Sequence, residues 1–273
     1  MTAATLNKPR YSWAVILFMA GIHIGALFAF LPSNFSWAAV GLALFLHWVT
    51  GCLGITLGWH RLITHRSFQT PKWLEYFFLF CGSLSCQSGP LEWIGLHRHH
   101  HVYSDQHVDH HDSGKGFWWS HMGWMFYEID NKEDIVKRFT KDLANDPVYQ
   151  FFDNYFLAVQ VALAVVLYLI GGWSFVVWGI FVRLVAVYHC TWLVNSATHK
   201  FGYRTYETEE RSTNCWWVAV LAYGEGWHNN HHAHQYSARH GWQWWEIDVT
   251  WMIIRFLQAV GLAKKVKLIG EEA

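Results

Sequence analysis

Four long apolar runs, set close together in two pairs, limit what this chain can fold into. Tyr11 to Leu31 and Phe35 to about Leu57 each reach the roughly 20 residues that a helix needs to cross a bilayer, and only a short uncharged turn around Pro32 separates them. A second pair runs from about Tyr155 to Ile170 and from Trp173 to about Val194, joined at Gly171 and Gly172. Composition agrees, because 53% hydrophobic residues and 19 Trp in 273 residues exceed what an ordinary soluble domain carries. The expected fold is a single all-α membrane domain over residues 1–273, with four transmembrane helices in two hairpins and a polar helical cap. A shorter apolar stretch, Leu74 to Cys86, is broken by Gly82, Ser83 and Ser85 and stays unassigned between a soluble, half-buried or re-entrant helix.

Two hairpins place the N-terminus, residues 58–154 and the C-terminal region on one side of the membrane. Nineteen of the twenty Lys and Arg fall there, Lys8 and Arg10 among them, with Arg183 the exception inside the fourth run. The positive-inside rule makes that side cytoplasmic. A signal peptide is the alternative reading of the N-terminus, but the apolar run is long for one and lacks a small-residue cleavage site. Formal net charge is zero, which argues neither for nucleic acid nor for a strongly acidic partner. Five cysteines without a C-x-x-C pair read as reduced packing residues and speak against a thiolate metal cluster.

On that same side lie nine histidines and one asparagine in four clusters: His60 and His65; His97, His100 and His101; Asn195 and His199; His228, His231 and His232. Packing alone has no use for imidazole in the repeated pattern H-x-x-H-H. Positions i, i+3 and i+4 share a helix face, so each such box is expected to present three nitrogens to one side. Structural zinc is satisfied by four ligands and catalytic zinc by three plus water, so nine imidazoles are too many for one ion. Two metal ions with four or five nitrogens each is the simplest partition. Ligand type leaves Zn, Cu, Fe and Ni open; among them iron carries out oxidative chemistry on inert C–H bonds.

The segments GITLGWHRLITHRSF (54–68), EWIGLHRHHH (92–101), HDSGKGFWWSHMGW (111–124), TWLVNSATH (191–199) and GEGWHNNHH (224–232) resemble the membrane-bound Δ9 fatty acid desaturases, and closest to them the cyanobacterial and plastid-type acyl-lipid members. The resemblance implies a di-iron centre held by the nine histidines, with Asn195 reaching one Fe through water. It also implies O2-dependent insertion of a cis double bond into a saturated acyl chain of about 16 to 18 carbons, at a multi-pass site in a plasma or thylakoid membrane. Gln87, Trp93 and Thr191 match positions that line the bend of the substrate tunnel, and Trp48 and Cys52 match its closed end. Such a tunnel holds the chain bent and excludes water.

Animal acyl-CoA members carry cations at the positions matched here by Gly95, Glu128 and Ile129. Their loss removes contacts to the phosphates of CoA and points to an acyl chain esterified on a membrane glycerolipid, with Lys115 and Arg98 left as cations near the head group. No H-P-G-G haem motif occurs, so electrons are expected from another protein: ferredoxin, with cytochrome b5 as the alternative. Lys264, Lys265 and Lys267 are candidates for contact with it, against the plainer reading of a solvated juxtamembrane tail.

The ten remaining histidines divide by setting. His23 and His47, inside spans, are expected to be hydrogen-bonded structural groups. His99 is expected at the surface; His121, His189, His234 and His240 are expected to be structural. His107, His110 and His111 interleave with Asp105, Asp109 and Asp112, which with Glu225 are expected to orient ligand imidazoles. Trp118, Trp119, Trp124, Trp216, Trp217, Trp242, Trp244 and Trp245 read as core and interface packing. Two other functions share the histidine pattern. A di-iron lipid hydroxylase or ketolase would differ by few side chains, and a membrane metal transporter would need ligands deep in the spans.

Overall fold

The computed structural model describes residues 10–270; Lys8 lies outside them. Helices dominate, and the described residues contain isolated β-bridges but no β-strand. Helix α1 (Trp13–Leu27) closes in a 3-10 turn, Phe28–Phe30, and α2 (Trp37–Thr64) follows, its start capped by Ser36, whose Oγ accepts from Ala39 N at 3.1 Å. Three helical stretches, Trp13–Phe30, Trp37–Thr64 and Pro147–His199, are long and apolar enough to cross a membrane. The third contains both members of the second apolar pair. Gly171 and Gly172 break it with φ/ψ of −139/15° and 65/−157°. Across that break a Cβ on Gly179 would meet Leu167 Cδ1 at 2.6 Å, a proximity that only a reversal of the chain permits.

Two boundaries differ from the sequence expectation. Helix α2 does not stop near Leu57; it runs on to Thr64 and carries His60 into the polar region. From Trp48 onward it is wound as a π-helix, with i→i+5 hydrogen bonds. Helix α8 (Arg183–Ser196), which follows α7 (Pro147–Val176) through a π-helical link, passes Val194 and ends in a 3-10 turn at Ala197–His199. Apolarity fades at these ends because ligand residues begin there, while backbone hydrogen bonding continues.

The unassigned stretch around Leu74 forms α3 (Lys72–Ser83), which buries Leu74, Phe78, Leu79 and Cys81 against α2. Glycine allows the approach: a Cβ on Gly54 would lie 2.5 Å from the Cys81 carbonyl carbon. After α3 the chain turns through Cys86 and Ser88, both at positive φ (56° and 77°), into α4 (Pro90–Tyr103). Pro90 sits in the first turn of α4, and Asp153 of α7 accepts from the Leu91 N–H at 2.8 Å, so the helix carrying the second histidine box is anchored at its start. The polar region is completed by α5 (Phe117–His121), α6 (Lys132–Phe139), α9 (Trp216–Leu221), α10 (His228–Ala233) and α11 (Val249–Ala259).

Gly54→Ala should lower thermal stability in detergent by about 1–3 kcal/mol, as expected for overpacking against backbone. Gly41→Ala, whose new methyl group would find no atom within 4 Å, should be neutral or slightly stabilising; equal melting shifts for the two would refute the close α2–α3 packing.

Candidate metal centre

The four histidine clusters come together from the ends of α2 and α8 and from α4 and α10. They sort into two groups whose ligand atoms lie within 4.8 Å of one another: His60, His65, His97, His101 and His231, and His100, His199, His228 and His232. Neither H-x-x-H-H box serves a single group. At 100° per residue, i and i+4 diverge by about 40° while i+3 lies about 60° to the other side. Accordingly His97 and His101 join the five-membered group and His100 the other, whereas His228 and His232 join the four-membered group and His231 the other. The spacing of five between His60 and His65 would put them about 140° apart on an α-helix. The π-helical winding, closed by His65 N–H to His60 O at 3.1 Å, instead brings their ring centroids to 4.7 Å.

In the larger group Nε2 atoms face one another: His60 to His231 at 3.1 Å, His231 to His101 at 3.0 Å, His101 to His97 at 3.0 Å and His97 to His65 at 3.3 Å. Metal–nitrogen bonds of about 2.0–2.1 Å at octahedral to tetrahedral angles separate neighbouring ligand atoms by about 2.8–3.4 Å, so these spacings suit one ion. In the smaller group all four imidazoles are buried, and His199 Nε2, His228 Nε2 and His232 Nε2 have no hydrogen-bond partner among the described residues. Buried, unpartnered lone pairs converging on one point fit a second cation. Burial holds the imidazoles of His65, His97, His101, His228, His231 and His232 well below the usual histidine range, which keeps them neutral and their lone pairs free.

Three carboxylates hold three of these rings by Nδ1 and leave Nε2 toward the groups: Glu225 on His60 (2.9 Å), Asp109 on His100 (2.9 Å) and Asp105 on His199 (3.0 Å). Burial would lower His100, but the charge and hydrogen bond of Asp109 outweigh it and raise the imidazole's basicity. Burial would likewise raise the Glu225 carboxyl, yet Arg61, His60 and His240 hold it well below the usual range. Arg61 also pairs with Asp248 at 2.9 Å, with its side chain fully buried. Asp109 further accepts from Asp105 N at 2.9 Å, and Asp105 accepts from Ser113 N and Arg211 N at 3.0 and 2.8 Å, so the 105–113 loop is folded around its own acids.

A cavity of 940 Å³ runs beside both groups, touching His60 and His97 of one and His100 and His228 of the other, together with Asn195. Gln87, Trp93 and Thr191 line it as a hydrogen-bonded chain: Trp93 Nε1 donates to Gln87 Oε1 at 3.3 Å and Gln87 Nε2 to Thr191 Oγ1 at 3.0 Å. Trp93 also stacks on His97 with centroids 5.0 Å apart. The turn that carries Gln87 is held from the α7–α8 side. Tyr188 OH donates to Cys86 O, and with the Gln160 amide oriented to donate to Leu84 O at 2.9 Å, Gln160 accepts from Arg183 Nη2 at 2.8 Å. Cys52 and Trp48 are not among the lining residues; Cys52 is buried beside Thr250, and Trp48 is partly exposed next to Phe45.

Several other expectations change. Gly95 is not a lost head-group cation site: it is buried under α6, where a Cβ would meet Val136 Cα at 2.9 Å. Glu128 and Ile129 do line the cavity, and Glu128 pairs with Arg10 at 2.8 Å. Arg98 faces elsewhere, capping the end of α2 through Ile63 O and Thr64 O (2.9 and 3.1 Å) and pairing with Asp142, while Lys115 lies over the Trp119 ring. His99 is buried against Phe139 of α6 rather than exposed. His107 is exposed, whereas His111 packs on His100 at 4.1 Å between centroids, and Asp112 caps its own turn through Gly114 N. Lys264 to Lys267 do not form a loose tail: Lys264 exchanges backbone hydrogen bonds with Gln69, and Lys267 N–H bonds Ser67 O. His23 bonds Met19 O and His189, His189 bonds His121, and His47 bonds Tyr223 OH, as polar groups in spans require. Sequence reasoning passed over Arg61, Asp248 and the contact of His240 with Glu225 (3.1 Å). The arginine beside His60 in the first box was the available signal.

His231→Ala and His100→Ala should each reduce bound metal per chain, one from each group, and Asp109→Asn should weaken binding about 10–100-fold. Metal analysis of protein purified with and without competing chelator measures both; full metal occupancy in His100→Ala would refute the four-membered site.

Residues 35–258 match the family model described as fatty acid desaturase. The chain is 68% identical over 268 residues to the sn-1 stearoyl-lipid 9-desaturase of Anabaena variabilis, covering 98% of both chains. It is 61% identical to the protein of that name from Synechocystis sp., covering 100% of this chain and 87% of the relative. An sn-2 palmitoyl-lipid 9-desaturase from Nostoc sp. is 49% identical over 263 residues, covering 95% and 92%. A histidine-rich centre beside an apolar cavity, in a chain with this ancestry, is that of an oxidoreductase belonging to the fatty acid desaturase family.

Proposed function

We propose that this protein introduces a cis Δ9 double bond into a saturated acyl chain of a membrane glycerolipid, using O2 and two electrons from an external donor, ferredoxin, with cytochrome b5 as the alternative. The observation that carries this reading is the single cavity that touches both histidine groups and is lined by the hydrogen-bonded Trp93, Gln87 and Thr191. The relatives at 68% and 61% identity are both named for the stearoyl chain at sn-1, and an 18-carbon chain at that position is the substrate we infer. Their names also favour desaturation over hydroxylation.

In this reading His60, His65, His97, His101 and His231 would hold one Fe and His100, His199, His228 and His232 the other, and Asn195, which lines the cavity beside them, would reach one Fe through water. The di-iron centre supplies the oxidant that a saturated chain requires, since such a chain offers no acid, leaving group or electrophile. This chain's own residues do the rest. Glu225, Asp109 and Asp105 fix the tautomer and direction of His60, His100 and His199. Trp93 and the Gln87–Thr191 pair hold the bend at the target carbons, and the apolar lining from Val15, Phe18 and Met19 excludes water around the tail. Four helices cross the membrane in two hairpins, with the histidine groups on the cytoplasmic side. Exposed Trp13, Trp37, Trp118, Trp216 and Trp244 suit interfacial anchoring. The acidic Glu128 at the cavity, already paired with Arg10, is ill suited to the phosphates of CoA.

Expression in a host that makes saturated lipids and supplies ferredoxin, followed by double-bond location in fatty acids from each separated lipid class, tests the reading. A Δ9 bond should appear first in intact glycerolipids, and His100→Ala or His231→Ala should abolish it while the protein still inserts. First appearance in acyl-CoA would overturn the substrate assignment, and a hydroxylated product would overturn the reaction.

A further inference from the structure

A second depression, of 470 Å³, reaches the histidine groups from the protein surface and shares no lining residue with the larger cavity. Its floor includes His65 and His101 of the five-membered group and His232 of the other, and its rim includes Val102 and Tyr236, exposed by 55% and 43%. The two groups differ in burial there: His65, His97 and His101 are only half-buried, whereas every member of the four-histidine group is buried. The centre is therefore closest to solvent at the His65–His101 edge.

Beside this depression, backbone hydrogen bonds stitch three distant segments together. Gln69 and Lys264 bond reciprocally at 2.8 Å, Lys267 N–H bonds Ser67 O at 2.8 Å, and Ala238 N–H bonds Lys267 O at 2.9 Å. The stitching brings the segments that carry Arg66, Lys264, Lys265 and Lys267 together beside the depression, since Arg66 follows His65 of its floor and Gln235 and Tyr236 of its wall lead into Ala238. Lys264 and Lys265 are exposed, and among the described residues Asp142 is the one carboxylate that pairs with any of these four cations, through Arg66. A basic patch beside a small apolar rim steers an acidic protein and then lets it dock through a small transient interface.

We propose that this face is the docking site of a small acidic one-electron carrier protein, and that electrons reach the centre through the His65–His101 edge. The inference rests on the oxidoreductase reading above, which requires an external donor; it adds where that donor binds and which half of the centre receives the electron. The acyl cavity and the donor then occupy separate faces, so substrate need not leave between the two one-electron transfers.

The test uses the full-length protein in nanodiscs of neutral lipid and a plant-type [2Fe–2S] ferredoxin as probe, with affinity measured on both metal-free and iron-loaded protein across a salt series. Lys264→Glu/Lys265→Glu and Val102→Asp should each weaken ferredoxin binding at least tenfold at low salt, and the first should also flatten the salt dependence. Arg204→Glu, a charge reversal outside the patch, should bind as wild type. A photo-crosslinker at Val102 should capture ferredoxin and one at Phe30 should not, a readout that holds even if a charge variant misfolds. Unchanged affinity in both patch variants, or capture from Phe30 alone, overturns the proposal. So does a result in which the lysine variant loses only affinity for phosphatidylglycerol vesicles, which would make the patch a membrane contact. Anaerobic reduction of the iron-loaded wild-type protein with dithionite, removal of the excess reductant and then admission of O2 tests the desaturase reading separately: no new double bond in that single turnover defeats that reading, while the binding data still decide the docking site.

Discussion

Everything in the polar half of this protein depends on keeping nine imidazoles aimed inward. An imidazole that is buried without direction can turn either nitrogen to the centre. Burial holds six of the rings well below the usual histidine range, and carboxylates from three different segments fix the direction of the other three by taking Nδ1 of His60, His100 and His199. Those carboxylates need holding in turn. Arg61 neutralises Glu225 and Asp248 in a fully buried network that ties the end of α2 to the 225 and 248 segments, and removing one member of such a network typically costs about 3–5 kcal/mol because a charge is left unpaired. The packing of α2, α10 and the start of α11 is thus coupled to the electronics of the site.

A comparable constraint operates on the apolar side. The turn between α3 and α4 places non-helical backbone next to the cavity, with carbonyls that water cannot reach in a bilayer-spanning assembly. Arg183, Gln160 and Tyr188 from the α7–α8 pair satisfy Leu84 O and Cys86 O. Arg183, which stood out in the sequence as the one cation within an apolar run, is explained by these acceptors. The same turn presents Gln87 to Thr191 and Trp93, so the groups that solve a backbone problem also fix the shape of the cavity.

The acyl cavity and the surface depression meet the histidines from different sides, and the π-helical end of α2 makes this possible. His60 lines the cavity while His65, one wide turn later, lines the depression. Arg98, which caps that turn, belongs to the depression and not to the head-group mouth. Gly95 is required by the contact between α4 and α6, so its identity reports packing and not substrate choice.

The apolar runs and the histidine spacing by themselves pointed to a helical membrane protein, to the nine histidines that the structure gathers and to two groups of four or five nitrogens each, because hydrophobic length and ligand number are properties of local sequence. Gln87, Trp93 and Thr191 were legible only through resemblance to known desaturases. Tertiary structure decided which histidine joins which group, since the 100° between i+3 and i+4 sends the two rings to different centres only once a second box faces them. It also decided that α2 winds past Leu57 to bring His65 over His60, that His99 and Gly95 lie beneath α6, and that the segments around Ser67, Ala238 and Lys264 to Lys267 are paired through their backbones. Those outcomes depend on contacts between residues up to about two hundred positions apart, and no local periodicity encodes such contacts.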